Sequence, residues 1–401
     1  MPFNIRSASL VKIWISGLIA SVPLILIFAS KASLLLMMVI FSCLIAVSYQ
    51  ANALKFRLSL SNLFTKEPLI WIVVAFAVYG CISTIWSVSP VASLRLLIFE
   101  FLMPVLLVVG LLAVDNEILA AIDLKKSAYG FVLAGILLVI ETRTGMALRG
   151  FLGLKQWQGA LAHAGVTLAF VAPLVAFYLL YQSRFFALVF FSLISVSIAL
   201  IINDSAKLAL VAFLFGALIY SQWVIRFRSI LFFCFALYIF SQPWIWSTFG
   251  ADYLSTTLLG FKASSIHRLY IWETFSRLSL QNLLHGYGIA SGHVLFQFDA
   301  IMASLPEALR QYVDVWHPHN NYLELWLDLG LIGIILFLLA MWQIFNGPWL
   351  AKRSSFASLV SISGVAACSH GLWQGWWIAL ICLVVMLQRV IDAKMEHGVQ
   401  A

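Results

Sequence analysis

Two histidines flank a proline at the head of the stretch HPHNNYLELWLDLGLIG, residues 317–333. Imidazole titrates near physiological pH, so His317 and His319 are the side chains here best suited to take up and return a proton. Asn320 and Asn321 follow, and then an apolar run that reads as a helix from Tyr322 to Phe345. At ~1.5 Å per residue that helix would be ~36 Å long, enough to cross a bilayer. Asn321 is a favoured N-cap residue, and Glu324, three positions on, completes a capping-box pattern with Asn in place of Ser or Thr. His319 then lies just before the helix start. Free N–H groups and partial positive charge at a helix start favour a bound anion and a neutral imidazole, and a neutral imidazole can act as a base. His319 is therefore the candidate general base, ahead of His317. The plainer alternative is that both rings only hydrogen-bond the turn around Pro318. Gly330 and Gly333 read as close-packing positions on one helix face. Glu324 and Asp328 form an i, i+4 carboxylate pair, but no DxD, HExxH or Cys cluster supports a metal site.

The cations can be sorted by whether a local acid explains them. Glu273 and Arg277 form an i, i+4 pair, and Arg310 has Glu307 and Asp314 at helical spacing, which makes both arginines structural. Arg268 has Ser264, Ser265, Ile271 and Trp272 at those offsets and no acid, so its guanidinium is a candidate phosphate ligand. Lys207 follows the turn NDSAK and opens an apolar run, which makes it a second anion-binding candidate, with Asp204 as the plainer partner. Arg95 and Arg143 stand near the ends of their apolar runs with Glu100 and Glu141 close by, and rank lower. His163 and His370 read as satisfied core or interfacial groups, and His285 and His293 as lining a glycine loop.

The elements that must position these groups are helices in a membrane. Of 401 residues, 63% are hydrophobic and 10% charged, far from the balance of a soluble domain. The expected fold is all-α and polytopic, with about twelve transmembrane helices. They fall near 10–28, 32–49, 68–86, 93–113, 127–140, 160–181, 185–202, 206–223, 229–247, 322–345, 356–370 and 372–389. The N-terminal run reads as an uncleaved first anchor. Lys and Arg gather on one side, and the positive-inside rule makes that side, with both termini, cytoplasmic. The net charge of +8 is this signature and not a nucleic-acid site. Three parts follow: 1–247 with about nine spans, the external segment 248–321, and 322–401 with about three. In 248–321 two short helices are expected, one starting at Ser264 or Ser265 and one near SLPEALRQYV. Ile271, Trp272, Phe275 and Leu278 form an apolar stripe on the first, which is expected to lie along the membrane interface. All five cysteines sit in apolar runs, so no disulfide framework is expected.

His319-Asn320, then nine residues, Gly330, two residues and Gly333 resemble the signature of the O-antigen ligase and polymerase superfamily of bacterial envelope glycosyltransferases. SSIHRLYIWETF followed by LLHGYG is similar to that family's Arg-containing loop helix and its G-x-G turn. AKLAL at 206–210 is similar to its SRGAL-like element, with Lys207 where arginine is usual. The resemblance implies a GT-C-like helical membrane fold and metal-independent, inverting glycosyl transfer at the periplasmic face of the bacterial inner membrane. No cofactor is implied. The donor would be polysaccharide on undecaprenyl pyrophosphate, and the acceptor a sugar hydroxyl of lipid A–core. It further implies His319 as the base and Arg268 and Lys207 as pyrophosphate ligands. Beside these, the residues themselves make His317, Asn320, Tyr322, Arg143 and Arg95 further substrate-binding candidates. A polymerase using the same donor is the nearest alternative. A transporter or flippase without chemistry is the remoter one, and would show ionisable groups at mid-membrane and broken helices.

Overall fold

The structure, a computed structural model, describes residues 11–156, 158–253, 263–292, 294–313, 315 and 317–398. The extreme N-terminus of the expected anchor, His293 and Asp314 lie outside the described residues. Among the described residues every regular element is helical. The chain opens with α1 (Ser16–Phe28), α2 (Ser33–Ala51), α3 (Ala53–Lys66) and α4 (Pro68–Ser83). Then come α5 (Pro90–Leu112, with a π-helical stretch at Leu97–Leu102), α6 (Leu124–Arg143) and α7 (Gln158–Gln182). Next are α8 (Arg184–Leu200), α9 (Asp204–Ile219), α10 (Arg228–Phe249) and α11 (Ala263–Gln281). The chain closes with α12 (Asn321–Asn346), α13 (Arg353–Ala366) and α14 (Gly375–Gly398).

Each of the twelve expected segments contains a helix among the described residues, but a count of about twelve spans is not shown. Among the described residues six helices are long and apolar enough to cross a membrane: α2, α5, α7, α10, α12 and α14. The count is seven if α3 and α4 act as one broken span; they meet at 77°, where Pro68 holds Glu67 in extended backbone. The shortfall has two physical causes. Helix α13 has 14 residues, ~21 Å against a hydrocarbon core of ~30 Å. Helix α6 is long enough, but it carries Lys125, Lys126, Glu141 and Arg143.

Helices α7 and α14 are mostly buried, and the first part of α12, 321–330, is fully so. Along α7, Val166, Phe170, Leu174 and Leu179 are enclosed by α1, α6, α8, α9 and α14. Helix α12 is enclosed by α4, α10 and α11, and the Trp326 indole donates to Ile239 O at 2.9 Å. Small residues allow the closest approaches, as expected where lipid supplies no hydrophobic drive between helices. A Cβ at Gly216 of α9 would meet the α13 backbone at Ala357 Cα, 2.9 Å away, and Ser361 Oγ donates across the same interface to Ala209 O.

The apolar stripe of α11 is turned into the protein, not toward lipid as expected. Ile271, Phe275 and Leu278 are fully buried and pack with Leu323 and Leu327 of α12. The second expected helix, near 304–313, is reduced to the single turn Glu307–Arg310, and a separate short helix, Asp299–Ala303, precedes it.

Helix α12 is broken. Gly330 lies at φ 59°, ψ −157° within it, a conformation essentially reserved for glycine. The loop after α11 fills the break. Tyr287 N–H and Gly288 N–H donate to Leu327 O and Asp328 O, and Leu331 N–H and Ile332 N–H donate to Leu283 O and Leu284 O. The Tyr79 hydroxyl donates to Leu329 O at 3.1 Å. A Cβ at Gly330 would come within 2.7 Å of backbone at 284–286. Gly330 is thus a conformational break and not the packing position expected. Gly333 faces the same break, where a Cβ would strike Leu329 of its own helix.

Candidate functional site

Helix α12 starts one residue earlier than the capping pattern suggested. Asn320 is the N-cap: its Oδ1 accepts from Tyr322 N–H at 3.1 Å and Leu323 N–H at 3.2 Å, and its Nδ2 donates to buried Gln242. Glu324 does not close a capping box. Its Oε2 accepts Leu372 N–H at 2.6 Å, on the turn between α13 and α14. Asn321 also faces that turn, with its amide bridging His370 O and Trp377 Nε1.

His319 sits in left-handed backbone, φ 55°, a strained position for a side-chain-bearing residue. Its Nδ1 lies 2.7 Å from Ser369 O. A carbonyl only accepts, so Nδ1 carries the proton and the lone pair of the neutral ring is left on Nε2. His317 has the opposite tautomer: its Nδ1 accepts the His319 backbone N–H at 3.2 Å, so its proton is on Nε2. Of the two rings, 4.3 Å apart, His319 can receive a proton at Nε2 and His317 can donate one. Trp272 of α11 secures the intervening residue by donating to Pro318 O at 2.8 Å.

Arg268 approaches from α11 and donates through Nη1 to Cys368 O at 3.0 Å. Among the described residues no carboxylate pairs with it, so part of the guanidinium stays open. Glu273 and Arg277 do pair, at 2.9 Å; Arg310 donates to Leu305 O, and its expected partner Asp314 lies outside the described residues. Helix α9 closes the third side. Asn203 caps it by accepting Ala206 N–H, and Ser205 Oγ bonds to Ser369 Oγ. Lys207, partly exposed, follows in that first turn, and among the described residues it forms no ion pair with Asp204.

Burial favours the neutral form of the imidazoles in the cluster. It pushes His317 down to about 3, with the charges of His319 and Arg268 adding to the effect. His319 is also lowered, because burial outweighs the upward pull of the Ser369 carbonyl and Arg268 acts in the same downward direction. His370 lies well below its ordinary value, through burial first and then the nearby histidines and Arg268.

The structure thus joins His317, His319 and Arg268, and sets the Lys207 turn against them through Ser205. Other candidates lie elsewhere. The Tyr322 hydroxyl is buried and donates to Ser363 O at 3.3 Å. Arg95 and Arg143 are exposed and make no hydrogen bond or ion pair with the cluster among the described residues. Glu141 accepts from Leu148 and Arg149 N–H, and Glu100 from Gly375 N–H. Asp328 accepts from Ala290 N–H and the Trp373 indole. His285 turns its Nδ1 toward Gly286 O and its ring edge toward Trp86.

Sequence reasoning missed the turn 367–374, which meets all three parts through Ser369 and Cys368. Its only signal was His370, read as an interfacial group. The oxygens that do the positioning are backbone carbonyls, which leave no trace in side-chain identity.

Among the described residues the fold is all-helical, that of a polytopic membrane protein, with two partly buried imidazoles beside an arginine. No family model matches the chain. It is similar to a protein of Rickettsia bellii named "Putative polysaccharide ligase", 39% identical over 80 residues, which is 19% of this chain and 20% of the relative. Over the same length and shares it is 36% identical to a relative so named from Rickettsia conorii and 32% to one from Rickettsia felis. The matched chain spans about a fifth of the length of these curated relatives. This partial homology is consistent with the resemblance to O-antigen ligases drawn from His319, Asn320, Gly330 and Gly333.

Proposed function

We propose that the protein is an O-antigen ligase, which transfers polysaccharide from undecaprenyl pyrophosphate to a sugar hydroxyl of lipid A–core. The observation that carries this reading is the His319 ring, held at Nδ1 by Ser369 O with its Nε2 lone pair left for a proton. As the acceptor hydroxyl oxygen attacks the anomeric carbon from the face opposite the leaving group, its proton passes to His319 Nε2. The bond from that carbon to the pyrophosphate oxygen breaks, the electron pair leaves with undecaprenyl pyrophosphate, and the configuration inverts. Arg268 and Lys207 neutralise the charge gained by the leaving group, the task a divalent metal performs elsewhere. His317 offers an Nε2–H donor beside the same centre.

The reaction is assigned to the periplasmic face of the inner membrane, with both termini cytoplasmic, 1–247 and 322–401 as the membrane parts and 248–321 external. The charge distribution supports this sidedness. Lys352 pairs with Asp392, Lys394 donates to Ala120 O, and Arg389 donates to Val114 O. These cations gather toward the end of α14 remote from Gly375 and the site, ~21 Å along the helix at Arg389.

A polymerase acting on the same donor needs the same base and clamp. The break at Gly330 is a feature a transporter would also show. Here, however, the groups it frees are bonded to the 283–288 loop and Tyr79 and do not line a path. The deciding experiment is a lipopolysaccharide gel from a strain lacking the gene. A ligase predicts unsubstituted lipid A–core with accumulated lipid-linked polymer. Core bearing a single repeat indicates a polymerase, and an unchanged gel contradicts both.

A further inference from the structure

We propose that Glu324 is a positioning residue for His319, acting through the turn between α13 and α14. Its functional meaning rests on His319 being the base, but its physical content does not. A glutamate four residues into a helix would ordinarily face solvent or its own helix start. Glu324 is instead 7% exposed and spends Oε2 on Leu372 N–H at 2.6 Å. Leu372 lies three residues after Ser369, whose carbonyl is the partner of His319 Nδ1. Two further carboxylates hold the same turn. Glu100 of α5 accepts Gly375 N–H at 2.6 Å, and Asp328 accepts the Trp373 indole N–H at 2.6 Å.

The turn is also pressed against the first histidine. A Cβ at Gly371 would come 2.8 Å from the His317 ring. Three acceptors from two helices therefore fix a segment that has no regular structure of its own. His319 needs such support, since its backbone is strained and its ring has a single carbonyl to choose its tautomer. With the turn released, Ser369 O moves off Nδ1, and the proton of the neutral ring redistributes between its two nitrogens. The lone pair is then no longer confined to Nε2. Glu324 touches no reacting atom in this account and acts only through the turn.

The test is solid-state NMR of [15N]histidine-labelled full-length protein in lipid nanodiscs, with His319 identified among the eight histidines by a His319→Gln difference spectrum. The expected result is an Nδ1–H, Nε2-bare ring in the wild type. In Glu324→Ala the ratio of Nδ1–H to Nε2–H forms falls about tenfold, the effect of losing one hydrogen bond. Glu324→Gln, which keeps an acceptor for Leu372 N–H, retains the wild-type spectrum. A wild-type His319 spectrum in monodisperse Glu324→Ala overturns the proposal, as does an Nε2–H ring in the wild type. Should Glu324→Ala not fold, Glu100→Ala loosens the same turn from its far end. There a shift in the same direction is expected, and no shift overturns the proposal. A tautomer shift in a protein whose transfer activity does not need His319 supports the positioning and contradicts only the base assignment.

Discussion

His319 and His317 differ by two positions in sequence and by one proton's location in chemistry. The backbone of one residue is held by the ring of the other, and this assigns the Nε2 lone pair to His319 and the Nε2–H to His317. Both rings are held neutral by burial, which fixes the sign of the pH response. Transfer is expected to be flat from neutral pH upward and to fall in acid, with its midpoint below the ordinary histidine value of 6.5. A pH profile of kcat/KM reads this directly; a midpoint above 6.5 would contradict the burial argument. Stability changes in the same direction. The unfolded chain takes up protons near 6.5 while folded His317 resists down to about 3, so stability is lost as the pH falls through that window. At this scale the sequence was informative about side chains and silent about carbonyls. His319 and Arg268 could be singled out by spacing and by a missing acid, whereas Ser369 O and Cys368 O could not. Asn320 and Asn321 have equal capping ability, so only geometry separates the true cap from its neighbour.

At the scale of elements the governing feature is the break in α12. Spacing alone makes Gly330 and Gly333 look like a packing face, because a break and a contact both call for glycine. The distinction lies in the 283–288 loop, which enters from more than forty residues upstream and supplies the backbone partners. Replacing Gly330 by Ala sets a Cβ against that loop and forces φ 59° on an ordinary residue. The expected loss is roughly 2–4 kcal/mol, combining backbone strain with overpacking. Gly17, helical and with open space around it, is the control: Gly17→Ala is expected to be neutral or slightly stabilising. Thermal unfolding in detergent checks both, and an unchanged midpoint in Gly330→Ala would contradict the break. The α11 stripe carries a related lesson. A stripe of Ile271, Phe275 and Leu278 fits lipid or protein equally well, and only the presence of Leu323 and Leu327 decides for protein.

For the whole molecule, composition made a helical membrane protein legible, but not the number of crossings. Helices such as α9, with 16 residues, are apolar enough to be read as spans and shorter than a perpendicular crossing needs. Sidedness rests on the cations at the far end of α14, and it is tested by impermeant thiol labelling of single-cysteine variants in intact cells. Gln297→Cys is expected to label from the periplasm, and Ser59→Cys only after permeabilisation; the reverse pattern would place the site in the cytoplasm. The central claim, that His319 takes the acceptor's proton, is tested most directly by the purified full-length chain in liposomes with lipid-linked polysaccharide and lipid A–core. His319→Ala is expected to reduce transfer about 10²–10⁴-fold, the usual contribution of a general base, with unchanged insertion and unfolding temperature. Transfer by His319→Ala within about threefold of wild type would be far smaller than any general-base effect and would contradict the account.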